Sequence, residues 1–238
     1  MPTDILLIIT ITAVIQSIFG VGVLLFGTPL MLLAGYDFIN TLRILLPISI
    51  AINALQILKH YPLVDRPFFR NVLIFTIPFV VLFLFIVSIS KININILVGI
   101  FLMFVALKNF SPHLEKLLES LVKFERTYLA IMGVIHGLTN LGGSLLTAIV
   151  HAKQYDKNQT RVTIAVCYAT FAVFQLLTLA VLGKNYQFSF SESSFFMQIG
   201  VLVFLLTEEI IYTRIDNKRY SKIFAGFLFV SGILLLYK

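Results

Sequence analysis

Two otherwise apolar stretches of the chain are interrupted by glycines and small polar residues. The first interruption is Gly20-Val21-Gly22, and the second runs from Asn140 through Leu141-Gly142-Gly143 to Ser144. A helix that restarts after such a break exposes backbone N–H groups and the positive end of its dipole, which attract an anion without a formal charge. The breaks therefore predict an anion site built largely from backbone.

Side chains near the breaks add hydrogen-bond donors. Thr28 and Ser144 offer hydroxyls, and Asn140 offers an amide. Several converging donors suit an oxyanion, although each hydroxyl could instead bond a carbonyl of its own helix. The candidate substrate-binding residues are Gln16, Gly20, Gly22, Thr28, Gln56, His136, Asn140, Gly142, Gly143, Ser144 and Gln175.

Polar residues also occur inside the apolar segments, where they are costly toward lipid and should face the protein interior. They are Gln16, Asn53, Gln56, His136, Thr139, Gln175 and Thr178. Gln16 and His136 occupy equivalent positions in the two halves of the chain, and Gln56 and Gln175 do so approximately. This equivalence is expected if all four line one central site.

Two alternatives stay open for these side chains. Buried polar residues also serve as interhelical hydrogen-bonding groups, and we expect only this role for Asn53 and Thr178. His136 is the histidine that lies clearly within a segment, and its charge can change near neutral pH. It could bind a proton together with an anion, but a neutral hydrogen-bonding role is the commoner one for a buried histidine.

Charged residues stand mainly at the ends of the segments. Arg43 and Arg161 could attract anions or anchor helix ends. Their loops repeat the same residue types, so we predict a structural role with Asp37–Arg43 and Asp156–Arg161 ion pairs. Glu208-Glu209 is predicted to form a salt bridge with Arg214 at the cytoplasmic rim, and a proton site is the alternative.

The elements that position these residues must be membrane helices, because the composition is that of a membrane protein. The 238 residues are 59% hydrophobic and 12% charged, with a mean hydropathy of +0.98. Soluble domains carry about 25% charged residues, so we exclude a soluble enzyme, a disordered chain and a nucleic-acid-binding domain despite the net charge of +7.

The single cysteine, Cys167, excludes an internal disulfide. The chain start lacks the positive region of a signal peptide, and we expect its apolar stretch to be retained.

Apolar segments of roughly spanning length follow one another along the whole chain. They lie at about 5–34, 43–58, 71–90, 92–107, 128–150, 162–183, 194–212 and 222–237. We predict that each is helical, because lipid offers no partner for free backbone groups.

An internal repeat relates the two halves. Tyr36-Asp37-x-x-Asn40-x-x-Arg43 matches Tyr155-Asp156-x-Asn158-x-x-Arg161 with a single-residue gap. We assign 1–110 to a first repeat of the transmembrane domain and 126–238 to a second. Between them, 111–125 combines a leucine stripe with charges, which predicts an amphipathic linker on the cytoplasmic surface.

The positions of lysine and arginine favour one topology. If every segment crosses the membrane, the eighteen basic residues divide equally between the two sides, whereas membrane proteins concentrate them in the cytoplasm. If 128–150 enters and leaves on one side, fourteen of the eighteen lie on one face. We therefore predict an all-α polytopic membrane protein of two inverted four-segment repeats, each a broken or re-entrant helical hairpin plus three transmembrane helices. In the alternative interpretation, the glycines only permit close packing of helices that cross the membrane. The charge distribution leaves open whether 5–34 re-enters or spans the membrane.

The glycine motifs resemble those of a known family. Gly20-x-Gly22, followed by Pro29-Leu30, Leu32-Leu33 and Gly35, is similar to the opening signature of the sulfite exporter TauE/SafE family. Gly137, Gly142-Gly143 and the loop ending in Arg161 resemble its second copy. The resemblance covers nearly the whole chain and implies transport of small sulfur-containing anions, coupled to an ion gradient.

These observations together predict a secondary transporter of the inner or plasma membrane. It would move a small anion, sulfite or an organosulfonate, by alternating access, with protons as one candidate coupling ion. A passive anion channel is the alternative; an intramembrane enzyme is a weaker one, because HExxH, Gly-x-Ser-x-Gly and paired intramembrane aspartates do not occur. We predict no enzyme activity, cofactor, metal site or nucleic-acid partner. The oligomeric state is open, with a homodimer among the alternatives, as are the particular anion and the direction of transport.

Overall fold

Helices account for all the regular secondary structure in the part of the chain that the structure describes. The structure is a computed structural model, and it describes residues 2–90, 92–108, 120–183, 189–211 and 229–237. The helices are α1 Thr3–Phe19, α2 Val23–Ala34, α3 Phe38–His60, a 3-10 turn Tyr61–Leu63, α4 Arg66–Phe75, α5 Ile77–Ile89, α6 Ile94–Lys108, α7 Glu125–Thr139, α8 Gly143–Ala152, α9 Lys157–Val181 and α10 Phe190–Ile211, with a further helical stretch at 229–236. Most of the predicted linker, 111–119, lies outside the described residues.

Several helices have the length and apolar composition of membrane segments. Among the described residues, Phe38–Leu63, Arg66–Ile89 and Lys157–Val181 are long and apolar enough to cross a membrane. Shorter apolar helices are Thr3–Ile18, Val23–Ala34, Ile94–Leu107 and Gly143–Ala152. The helices that follow the two breaks, α2 with 12 residues and α8 with 10, are shorter than the about 20 residues that a crossing needs.

Both broken segments fold back on themselves as helical hairpins. Gly20 ends α1 in the left-handed region with φ 73°, and Asn140 ends α7 with φ 62°. The chain then reverses so tightly that a Cβ on Gly22 would lie 2.7 Å from the carbonyl oxygen of Thr12. Because glycine has no side chain, it permits this close return of the backbone. Gly142 makes a similar close approach to α7 in the second hairpin.

A polar contact closes the open end of each hairpin. The Tyr36 hydroxyl donates to Asp4 Oδ2 at 2.8 Å and joins the end of α2 to the start of α1. Burial, and then this hydrogen bond, raise the pKa of Tyr36 to about 12, so the phenol remains a neutral donor. Lys153 Nζ lies 2.9 Å from Glu125 Oε2 and joins the end of α8 to the start of α7. Each hairpin therefore begins and ends on one side of the fold.

Helices α3 and α9 each begin at an aspartate N-cap. Asp37 Oδ1 accepts from the Asn40 N–H at 3.0 Å, and Asp156 Oδ1 accepts from the Asn158 N–H at 2.9 Å. Such caps satisfy first-turn N–H groups and contribute about 0.5–2 kcal/mol. The structure thus gives these aspartates a helix-capping role, and Arg161 pairs with Glu208.

The contacts between helices repeat when the two halves are exchanged. α3 packs most extensively on α9, its counterpart in the second half. α1 packs on α10 while α7 packs on α5, and α10 packs on α3 while α9 packs on α5. The buried core at these interfaces includes Leu45, Leu46 and Phe171. The repeat seen in the sequence is therefore also a repeat of packing partners.

Candidate anion site at the helix breaks

Four buried polar side chains join the two hairpins through hydrogen bonds. Asn140 Nδ2 donates to Thr28 Oγ1 at 2.9 Å, which links the second break to α2. Gln175 Nε2 donates to Asn140 Oδ1 at 3.2 Å, and Gln175 Oε1 lies 3.3 Å from His136 Nε2. All four residues are 0% exposed. We refer to Thr28, Asn140, Gln175 and His136 as the central network.

The His136 ring has one nitrogen committed to this network. Because Gln175 Oε1 can only accept, the shared proton is assigned to His136 Nε2. His136 Nδ1 is buried and has no hydrogen-bond partner among the described residues. It is thus an acceptor available beside the second break.

Gln16 holds the first break. Its Nε2 donates to the Gly20 carbonyl at 2.9 Å, and its Oε1 accepts from the Val23 N–H at 3.0 Å. One side chain therefore satisfies backbone groups on both sides of the turn. Gln16 Nε2 also lies 3.3 Å from Asn53 Oδ1 on α3. In this conformation Gln16 acts as a clamp on the break.

A chain of polar contacts continues from Asn53 to a buried group of charges. With its amide assigned from the hydrogen-bond network, Gln56 donates to Asn53 Oδ1 at 3.1 Å and accepts from Arg161 Nε and Nη2 at 3.3 and 3.1 Å. Arg161 Nη2 lies 2.9 Å from Glu208 Oε1, and Lys59 Nζ lies 2.7 Å from Glu208 Oε2. We refer to Lys59, Glu208 and Arg161 as the ion triad.

The ion triad lies beside the tip of the first hairpin. A Cβ on Gly20 would stand 3.3 Å from Arg161 Cγ. The Arg161 and Glu208 side chains are 9% and 6% exposed, whereas that of Lys59 is 47% exposed. Arg161 thus stands in the first turns of α9, as predicted, and is also a buried charge beside a break. The arginine predicted to pair with Glu208 lies outside the described residues.

The helices that restart at the breaks have glycine N-caps without side-chain hydrogen bonds. The positive ends of the α2 and α8 dipoles therefore face the breaks. Gly143 lies directly against α9, where a Cβ would stand 1.1 Å from the Tyr168 hydroxyl oxygen. Ser144 Oγ donates to the Leu141 carbonyl at 3.2 Å. Ser144 therefore bonds a backbone carbonyl close to it in the chain, whereas Thr28 accepts a hydrogen bond from the other half of the chain.

Sequence reasoning grouped most of these residues but missed the ion triad. Lys59 and Glu208 are 149 residues apart, and no local pattern relates them. The sequence signal for the triad is the Glu208 carboxylate inside an apolar segment, for which the sequence analysis predicts a salt bridge with an arginine nearby in the chain. Asn53, expected only to join helices, connects Gln16 to Gln56. Thr178 donates to the Phe174 carbonyl of its own helix at 2.7 Å, a structural role.

The groups at the breaks are hydroxyls, amides, helix N-termini and one guanidinium. All can donate hydrogen bonds to an oxyanion. Within the described ranges, no group of three or more His, Cys, Asp and Glu side chains could hold a metal ion. Groups of these kinds can bind an anion reversibly.

The apolar helices define a helical membrane protein. The family model of the sulfite exporter TauE/SafE proteins matches residues 5–235, and the chain therefore belongs to the sulfite exporter TauE/SafE family. This membership implies membrane export of sulfite or another anion. Neither a curated protein nor a solved structure matches the chain.

Proposed function

We propose that the protein is a secondary transporter that moves sulfite or an organosulfonate across the cell membrane by alternating access. The observation that carries this proposal is the buried hydrogen bond from Asn140 to Thr28, which joins the two broken hairpins at 2.9 Å. Transporters with inverted repeats bind substrate where discontinuous helices meet near the midplane. The candidate binding residues of the sequence analysis remain the proposed site.

The two halves are proposed to have opposite orientations. The open end of the first hairpin, at Asp4 and Tyr36, lies next to the start of α3. Asp65 follows the other end of α3, and its carboxylate accepts from the hydroxyl of Tyr155 near the open end of the second hairpin. At that open end, Glu125 Oε1 lies 2.7 Å from Asn71 Nδ2 on α4. The 23 residues of α3 separate these ends by about 34 Å at about 1.5 Å per residue. This separation supports hairpins that enter from opposite sides.

The charge distribution supports the same orientation. The hydroxyl of Tyr155 donates to the Asp65 carboxylate, and Lys153 pairs with Glu125. These contacts bring together three loops, 59–70, 108–126 and 151–161, whose lysines and arginines we assign to the cytoplasmic side.

A stabilisation assay tests the substrate class. Purified full-length protein is heated with sulfite, sulfate, thiosulfate, sulfoacetate, taurine or simple carboxylates, since a ligand that binds only the folded state raises the apparent melting temperature. We expect a sulfur oxyanion to give the largest increase. If a carboxylate or neutral solute stabilises the protein and no sulfur anion does, the proposed substrate class is wrong.

Flux into proteoliposomes tests the mechanism. We expect labelled sulfite to accumulate against its own gradient when an ion gradient is imposed, and to exchange with unlabelled sulfite from the opposite side. A passive channel would only equilibrate the anion, so uptake that stops at equal concentrations under every imposed gradient would contradict the carrier.

A further inference from the structure

We propose that Arg161 is the charged group that binds the transported anion, and that the Glu208 carboxylate occupies Arg161 when no anion is bound. The inference rests on the proposed function, because it assigns a binding residue and its internal competitor to the same site. Arg161 was expected to have a structural role, and Glu208 was not among the candidate site residues.

The burial of Arg161 is the first reason. Its side chain is 9% exposed, in a chain where buried charges are costly and mark functional positions. A guanidinium offers a planar fork of donors that matches a carboxylate or another oxyanion. The Arg161 guanidinium binds a carboxylate at 2.9 Å in the resting protein, and it can donate to a sulfur oxyanion in the same way.

The position of Arg161 is the second reason. Its Cγ lies 3.3 Å from where a Gly20 Cβ would stand, so its side chain passes the tip of the first hairpin. Its guanidinium also contacts Gln56, which connects through Asn53 to Gln16, the clamp of that break. An anion on Arg161 is therefore coupled through hydrogen bonds to the backbone of the break.

Lys59 supplies the third reason, because it makes release of Arg161 possible. Glu208 uses Oε1 for Arg161 and Oε2 for Lys59 at 2.7 Å. When an anion takes over Arg161, the carboxylate keeps Lys59 and is not left unpaired in the interior, which is strongly unfavourable.

The described charged groups that face the Glu208 carboxylate are Lys59 on α3 and Arg161 on α9. The carboxylate therefore competes with an incoming anion for Arg161, and it has Lys59 as its remaining partner once it is displaced.

Equilibrium binding to full-length variants tests the inference, with sulfite and isethionate as probes. Glu208→Gln removes the competing charge, and we expect it to tighten binding by about tenfold. Lys59→Gln removes the partner that retains Glu208, and we expect weaker binding. Arg161→Gln should abolish binding, and Arg161→Lys should weaken it by losing the planar fork. Opposite changes in Glu208→Gln and Lys59→Gln are not expected of a purely structural triad, which would lose affinity in both.

Isethionate provides a second probe, because it is a sulfonate with a fixed charge near neutral pH. We expect Glu208→Gln to tighten its binding, and Lys59→Gln to weaken it, as for sulfite. Glu125→Gln is the matched control, since Glu125 pairs with Lys153 at the open end of the second hairpin. We expect it to bind both anions like the unmodified protein.

The outcomes separate this inference from the proposed function. If the unmodified protein binds the anions but Glu208→Gln binds them no more tightly, the role of Glu208 is wrong and the transporter proposal stands. Undiminished binding by Arg161→Gln overturns the roles of both Arg161 and Glu208 and leaves the transporter proposal standing. If neither the unmodified protein nor Glu208→Gln binds any sulfur anion, both proposals fail.

Discussion

At the scale of single residues, the hydrogen bond between Asn140 and Thr28 shows how a few polar atoms join the halves. Both residues are 0% exposed, so neither polar group can turn to water. Removing one partner leaves the other buried and unpaired, which costs about 1–3 kcal/mol. The contact also brings the second break against α2, where the positive end of a helix dipole lies nearby.

Thr28→Val tests this contact, because it keeps the shape of the side chain and removes the hydroxyl. We expect the free energy of unfolding to fall by about 1–3 kcal/mol and anion uptake to slow. Thermal unfolding in detergent and uptake into proteoliposomes measure the two effects. Thr178→Val is the matched control, since that hydroxyl bonds a carbonyl of its own helix; we expect a change within about 0.5 kcal/mol. Equal losses in the two variants would contradict the cross-half role.

The sequence predicted most of the buried polar side chains near the breaks but not how they connect. Equivalent positions in two repeats and the cost of polar groups toward lipid were enough to select Gln16, Gln56, His136 and Gln175. Those arguments place a side chain in the interior without naming its partner. Whether Gln16 binds a ligand or clamps Gly20 depends on distances that only the folded backbone sets.

At the scale of elements, the start of α8 is held tightly against α9. A Cβ at Gly143 would stand 1.1 Å from the Tyr168 hydroxyl oxygen and 2.1 Å from its Cζ. Tyr168 is 2% exposed, so the ring has little space to move. The glycine at this break therefore permits close helix packing and supplies a helix N-terminus as well.

Gly143→Ala should separate these helices. We expect a loss of about 1–3 kcal/mol in the free energy of unfolding, as in overpacked cores, and partial recovery when Tyr168→Leu is added. Gly27→Ala is the control, because its Cβ would meet the flexible end of Leu45 at 2.9 Å. Circular dichroism melts in detergent provide the comparison. A Gly143→Ala protein as stable as Gly27→Ala would show that the contact does not limit the fold.

At the scale of the whole molecule, the proposed inversion places the two hairpins on opposite sides of the membrane. Each hairpin is closed by its own polar contact, Tyr36 with Asp4 and Lys153 with Glu125. Helix α3 runs between the two closed ends. Exchange of the halves maps the main helix contacts of the described residues onto one another, a property that alternating access between two related states would use.

Cysteine labelling in cells tests the inversion in a Cys167→Ala background, since Cys167 is buried. Single cysteines replace Thr3 or Ala34 at the first hairpin and Thr127 or Ala152 at the second, all exposed positions. We expect a membrane-impermeant maleimide to label the first pair in intact cells and the second pair only after permeabilisation. Labelling of all four from one side would contradict opposite orientations.

The sequence by itself determined the class of molecule, the breaks and the repeat. Few charges, long apolar segments and glycines at 20, 22, 142 and 143 are properties of consecutive residues, and the physics of a bilayer acts on them locally. Equivalent residues in the two halves could likewise be found by alignment of the chain with itself.

Only the tertiary structure decided which charges meet. Lys59, Arg161 and Glu208 come from three helices that are distant in sequence, and each has several oppositely charged residues nearer along the chain. Helix packing, dominated by apolar contacts without charge specificity, brings them together at the first break. Electrostatic partners follow from distances of a few ångströms, and those distances exist only after the helices have packed.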